Sequence, residues 1–167
     1  DTLDIESEII AHKNLSLANN VEFVKQLSIP IQCNITNIHA ERFDAYIVTD
    51  FQSPEIDNLD VDIPCAIHID HHEPVEIQRK IDFQIINNEA GSTCSIISLL
   101  LKDMKINFTE EEKVLVYTAL LYGIQSDTDK YDHANTIDYE ALDFISPFAN
   151  KGMINNLTRT PYDDKTI

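Results

Sequence analysis

Long apolar runs are missing from this chain of 167 residues. No stretch approaches the roughly 20 apolar residues that a membrane-spanning helix needs, so a helical span is excluded and no membrane partner is expected. Nothing reads as a secretory leader. Cysteine is scarce. Cys33, Cys65 and Cys94 are scattered, with no Cys-x-x-Cys spacing, which speaks against both a disulfide framework and a thiolate zinc site. Cys65 and Cys94 lie in apolar runs and are expected as buried thiols, and the setting expected is cytoplasmic. Basic residues are also few. Lys and Arg total 12 against 29 Asp and Glu, and Arg42, Arg79 and Arg159 are the only arginines. A surface for long duplex nucleic acid needs clustered Lys and Arg, so a net charge of −17 excludes that partner. A carboxylate-rich site for a divalent metal and a small anionic substrate stays compatible, because the metal brings the positive charge. Three glycines are few for an α/β enzyme with several tight strand-to-helix turns.

What is present is the composition of a globular protein, 43% hydrophobic and 25% charged. There is no low-complexity tract and no internal repeat, and residues 1–167 read as one domain. Short β-rich runs are expected as strands at Ser7–His12, Ile29–Ile35, Ala45–Asp50, Pro64–Ile69 and Ile81–Ile86. Helices are expected over Ser16–Leu27, with Leu17, Val21, Val24 and Leu27 turned to the sheet, and over Thr93–Lys102, with Ile96, Ile97, Leu100 and Leu101 on the apolar side. A third follows the capping box Thr109-Glu110-Glu111-Glu112 to about Tyr122, and a fourth covers Ile137–Ala149. The three glutamates favour the helix N-terminus electrostatically. The fold class expected is α/β, with a mostly parallel, helix-flanked, doubly wound sheet.

The candidate site rests on how these segments end. Ala66-Ile67-His68-Ile69 runs into Asp70-His71-His72. Ala45-Tyr46-Ile47-Val48-Thr49 ends in Asp50, and Glu8-Ile9-Ile10-Ala11 ends in His12. The apolar segment from Leu120 again delivers carboxylates, Asp127 and Asp129. In open parallel sheets ligands bind just beyond the carboxyl ends of the strands, and imidazole with carboxylate there is a metal-ligand set. His68 is expected to pack in the sheet and His39 to be a solvated loop residue. Asp129 and Asp132 are expected to be solvated, and His133 follows the last segment toward a substrate position.

These residues together resemble the DHH phosphoesterase family. The resemblance is carried by Asp50, by Asp70-His71-His72 and by Gly123-Ile124-Gln125-Ser126-Asp127-Thr128. Asn88-Glu89-Ala90-Gly91-Ser92-Thr93-Cys94 is similar to the stretch opening the helix after the third motif, and Asn135-Thr136-Ile137-Asp138 to the text after the fourth. The resemblance implies a hydrolase of phosphate esters of small nucleotides or short oligonucleotides. It implies a two-ion site of Mn²⁺, with Mg²⁺ or Co²⁺ as alternatives. His12, Asp50, His71 and Asp127 would be ligands, Asp50 bridging, with His72 as catalytic acid or charge donor and Asp70 orienting its neighbours. It leaves the oligomeric state open, a homodimer included. An inorganic pyrophosphatase or exopolyphosphatase of the same superfamily and an inactive regulatory module are the rival readings. No second, substrate-binding domain of the kind family members usually carry is recognisable.

The first motif departs from the family. Members follow the strand-ending His with a segment bearing two metal-binding aspartates, whereas His12 is followed here by Lys13-Asn14-Leu15-Ser16-Leu17. Either the site is degenerate or a short loop between Asn14 and Ser16 has been lost from the text. The intact flanks favour the second.

Overall fold

The computed structural model describes residues 5–11, 13–33, 38–56 and 62–157. The elements follow in the order β1 (Ile9–Ala11), α1 (Ala18–Gln26), β2 (Ile31–Cys33), a 3-10 turn (Ala40–Arg42), β3 (Tyr46–Thr49), β4 (Cys65–Asp70), β5 (Ile81–Ile86), α2 (Thr93–Met104), α3 (Glu110–Asp127), α4 (Thr136–Ile145) and α5 (Lys151–Leu157). Every strand pairing among the described residues is parallel. β1 pairs with β2, and β4 lies between β3 and β5 in a separate sheet. The α/β class with parallel strands and flanking helices is therefore as expected. No helix among the described residues is long and apolar enough to cross a membrane.

Register decides what the second sheet can present. Thr49 of β3 lies opposite Ile69 of β4, and Asp70 lies opposite Ile86 of β5. The next backbone bonds continue the ladder, Asp50 N–H to the Ile69 carbonyl and Asn87 N–H to the Asp70 carbonyl, both at 3.0 Å. All three strands thus run out at one edge, with Asp50 and Asp70–His72 side by side. β4 is the most buried strand, as a central strand with both faces covered should be. His68 in it is fully buried; its Nε2 meets the Phe51 carbonyl at 2.7 Å and its Nδ1 the Gln84 amide at 3.1 Å. It is packed in the sheet, as its position in the run predicts.

α2 is the wall between sheet and helices. Ile96, with Ile97 and Leu100, packs on Ile67, Ile69 and Ile85. Its other side meets a second cluster built on Tyr117, Leu120, Leu121, Ile124, Ala141 and Ile145. α3 comes unusually close: a Cβ placed on Gly123 would overlap Cys94 Sγ. Glycine weakens a helix interior by roughly 1 kcal/mol, and here that loss lets two backbones approach. Burial in this seam pushes the Cys94 thiol up to about 12, so it is an inert packing group. Cys65 is fully buried and Cys33 half-buried, all three thiols being free.

Three expectations about elements need correction. The helix after the capping box does not stop near Tyr122 but continues to Asp127, so the segment from Leu120 is the end of a helix rather than a strand-like run to the sheet edge. Leu120, Leu121 and Ile124 are its buried stripe, and the Thr128 hydroxyl closes it on the Ile124 carbonyl. α1 buries Phe23 rather than Leu17 and Val21, which are 48% exposed. It faces α3, Phe23 stacking on Tyr122 at 4.2 Å and Asn20 accepting from the Tyr122 hydroxyl, so its inner face is turned from the one the spacing suggested. α4 ends at Ile145, short of Ala149. The strand expected over Ile29–Ile35 is described over Ile31–Cys33, its last part lying outside the described residues. The Thr109–Glu112 capping box forms, and hydrogen bonds from Thr109 hold the Glu112 carboxyl below the usual carboxylate range.

Asp138, fully buried in α4, ties this helix to the turn before α2. Its carboxylate accepts from the Gly91 N–H (3.1 Å), the Ser95 hydroxyl (2.6 Å) and the Asn135 N–H (2.9 Å). Asp138→Ala should lower unfolding stability by about 3 kcal/mol, because one buried and two part-buried donors lose their acceptor; urea denaturation reads it. Gly123→Ala should cost about 1–3 kcal/mol by overpacking, and adding Cys94→Ala should recover most of the loss. Equal destabilisation with and without the sulfur would show that the Cys94 contact is not the cause.

Candidate metal centre

Asp50 ends β3 in a left-handed backbone conformation, φ 58°. Aspartate tolerates that region better than most residues, and the turn aims its carboxylate along the sheet edge. Oδ1 accepts from the Thr93 hydroxyl at 2.9 Å and lies 3.5 Å from His71 Nε2. His71 Nδ1 meets the Ala90 carbonyl at 3.3 Å. A carbonyl only accepts, so Nδ1 donates to it, and Nε2 faces Asp50. A backbone carbonyl behind the ring is how metal-binding histidines are held in one tautomer.

His72, the next residue, does something else. Its Nδ1 lies 2.7 Å from Asp70 Oδ1. The Asp70 side chain is 1% exposed and the His72 side chain 47%, so a buried carboxylate grips a ring that reaches solvent. The hydrogen bond to Asp70 raises the His72 pKa above the ordinary imidazole value, against a smaller opposing effect of burial; the charges of Asp70, Asp50 and Asp127 add to the rise. The two imidazoles are 4.4 Å apart, tilted by 59°. Donor atoms of Asp50, His71 and His72 all lie within 4.8 Å of one another, the one such group among the described residues.

Asp127 arrives from the C-terminal end of α3. Its Oδ2 accepts from the Ser92 hydroxyl at 2.8 Å. Burial raises its pKa and the Asp50 charge adds to that, while the Ser92 hydrogen bond and the two histidines pull it down. The residue is nevertheless exposed, so that loss of solvation is partial. Asp127 stands beside the Asp50–His71–His72 group without belonging to its tightest set. The remaining expected ligand, His12, lies outside the described residues. From Lys13 to Leu17 the chain leading into α1 contains no carboxylate. Asp129, Asp132, His133 and His39 are exposed.

Two residues that sequence reasoning passed over hold the site together. Ser92 caps α2, its hydroxyl accepting from the Cys94 N–H while donating to Asp127. Thr93, the first residue of α2, donates to Asp50. Both side chains are buried. The signal was a pair of hydroxyl residues opening an otherwise apolar helix directly after the strand-end motif. With these donors in place the group fits one divalent ion. Two ligands about 2.1 Å from one ion at a tetrahedral angle stand about 3.4 Å apart, and His71 Nε2 and Asp50 Oδ1 are 3.5 Å apart.

The Asp70–His72 contact has a pH signature. A raised histidine pKa means the contact stabilises the fold fully below the unfolded value near 6.5, and that this stabilisation is lost as pH rises through the higher folded value. In metal-free protein, NMR titration should place His72 above an ordinary histidine, and Asp70→Asn should bring it down. An unchanged His72 titration in that variant would remove Asp70 as the cause.

No protein-family profile matches the chain. A stretch of 153 residues, 90% of the chain, is 27% identical to an uncharacterized protein of Methanocaldococcus jannaschii. The chain spans about 30% of that protein's length.

Proposed function

We propose that this chain is a divalent-metal-dependent phosphoesterase acting on phosphate esters of small nucleotides or short oligonucleotides. The observation that carries the reading is the convergence of Asp50, His71 and His72 at the carboxyl edge of a parallel sheet, with each imidazole held differently. His71, tethered through Nδ1 to a carbonyl, offers Nε2 as a ligand beside Asp50, and Asp127 adds a second carboxylate. Mn²⁺ suits this mixture of imidazole and carboxylate, with Mg²⁺ and Co²⁺ as alternatives. A bound ion would neutralise phosphate oxygens and activate water for attack. His72 keeps its Nδ1 proton on Asp70 and is free to carry a second proton at Nε2, to be given to the leaving oxygen. The buried Asp70 stabilises that imidazolium and fixes the ring plane.

Substrate size follows from charge. A chain of net charge −17 repels a long polyanion. The rival reading of an inactive regulatory module is favoured by the stretch Lys13–Leu17, which lacks carboxylates.

Turnover of a 3′,5′-bisphosphate nucleotide, a short oligonucleotide, a cyclic dinucleotide and pyrophosphate with Mn²⁺ separates the readings. Hydrolysis of a nucleotide ester is expected. Cleavage of pyrophosphate alone would make the chain a pyrophosphatase, and bound metal with no turnover of any substrate would favour the inactive module. His72→Ala should keep its metal and lose about two orders of magnitude or more in turnover, whereas His71→Ala and Asp50→Asn should lose the metal. Equal metal loss in His71→Ala and His72→Ala would overturn this division of labour.

A further inference from the structure

We propose that His68 is a positioning residue of the candidate site: from inside the sheet it holds the turn that aims Asp50 at His71 and His72. Its effect on metal binding rests on the metal-dependent reading above. Asp50 needs holding. Its side chain is 51% accessible and its backbone is left-handed, φ 58°, a conformation that persists in a residue other than glycine only where the surroundings fix it. Three consecutive residues are tied to the β4 segment. The Asp50 N–H donates to the Ile69 carbonyl at 3.0 Å, the Phe51 carbonyl accepts from His68 Nε2 at 2.7 Å, and the Gln52 amide donates to the Glu73 carbonyl at 2.9 Å. The first tie lies before the turn and the other two after it. The Gln52 bond is exposed, so water competes for it. The His68 bond comes from a fully buried ring and is the strong tie on the far side of Asp50.

The ring is itself fixed. Ile67 and Ile69 pack against α2, so His68 between them faces away from that helix. Gln84, its register partner on β5, sets its amide nitrogen 3.1 Å from His68 Nδ1. A carbonyl only accepts and an amide nitrogen only donates, so the imidazole donates at Nε2 and accepts at Nδ1. Tautomer and ring plane are both set, and the donor points at Phe51. On the α2 side of the sheet the Thr93 hydroxyl holds the Asp50 carboxylate at 2.9 Å. Asp50 is thus gripped from both faces, its side chain from one and its turn from the other. Packing alone does not call for histidine here, since an apolar residue fills a central strand without two polar atoms to satisfy.

The test compares His68→Gln with His68→Asn. A glutamine amide carries its nitrogen about as far as Nε2 and keeps the donor to Phe51; that of asparagine reaches only about as far as Nδ1 and loses it. Metal-stripped protein is titrated with Mn²⁺ by calorimetry, and the backbone resonances of Asp50 and Phe51 are followed by NMR without metal. His68→Asn should weaken Mn²⁺ binding by about tenfold to a hundredfold, the usual effect of losing a group that orients a ligand, and should shift both resonances. His68→Gln should restore both readouts to near the native values. Native binding and unshifted resonances in His68→Asn, or equal losses in the two variants, would overturn the proposal. So would an Nδ1-protonated His68 in the ¹⁵N spectrum of the native protein, a measurement that needs no variant to fold. Absence of Mn²⁺ binding by the native protein would overturn the metal-dependent reading, and the Asp50 and Phe51 resonances would still decide whether His68 sets the turn.

Discussion

The first turn of α2 is the constraint on which the candidate site depends. Two hydroxyls from adjacent residues, Ser92 and Thr93, reach carboxylates brought from different elements, Asp127 from the end of α3 and Asp50 from the end of β3. Neither carboxylate would otherwise be held beside the other, because they repel. The turn is itself held from below by Asp138, which takes the Gly91 N–H and the Ser95 hydroxyl. α3 reaches the same place only because Gly123 lets it lie against Cys94. Sheet, turn and helices are therefore joined through one short polar junction, while the apolar contacts of Ile96 and Ile97 keep that junction in register.

Electrostatically the edge gathers carboxylates from separate elements. Burial first, and then the Asp50 charge, raise the pKa of Asp127, whereas the Asp70 hydrogen bond raises that of His72 against burial, with the neighbouring carboxylates adding to it. Helix N-termini favour negative charge, so the opening of α2 offsets part of the repulsion, but a partial dipole cannot balance several carboxylates. Buried side-chain polar atoms among the described residues all have partners, so the strain at this edge is one of like charge and not of missing hydrogen bonds. That is the condition in which a cation binds with gain. It is also why the left-handed backbone of Asp50 persists, since sparsely populated conformations survive at sites that the surrounding structure over-determines.

Adjacent histidines acquire different work through their neighbours alone. His71 and His72 are identical in chemistry and adjacent in the chain, with ring centroids 4.4 Å apart. The Ala90 carbonyl behind His71 engages Nδ1 and leaves Nε2 facing Asp50. The Asp70 carboxylate behind His72 favours the protonated ring. What stands behind each imidazole differs, a backbone carbonyl for His71 and a buried carboxylate for His72.

The local pattern of the chain determined the parallel strands, the residues that end β3 and β4, the capping box at Thr109 and the buried place of His68. Each of these depends on neighbours in sequence: an apolar run bounded by polar residues, or a hydroxyl three positions before a glutamate. Tertiary structure decided the rest. That α1 turns Phe23 inward follows from Tyr122, about a hundred positions away, and not from its own spacing. That Asp127 ends a helix follows from the buried stripe of α3 against α2 and α4. Ser92, Thr93 and Asp138 read as ordinary helix-opening residues, and their partners became visible only when β3, α2, α3 and α4 met. Local sequence sets backbone preference and hydrophobic period. Which carboxylate a hydroxyl meets is set by packing between elements distant in the chain.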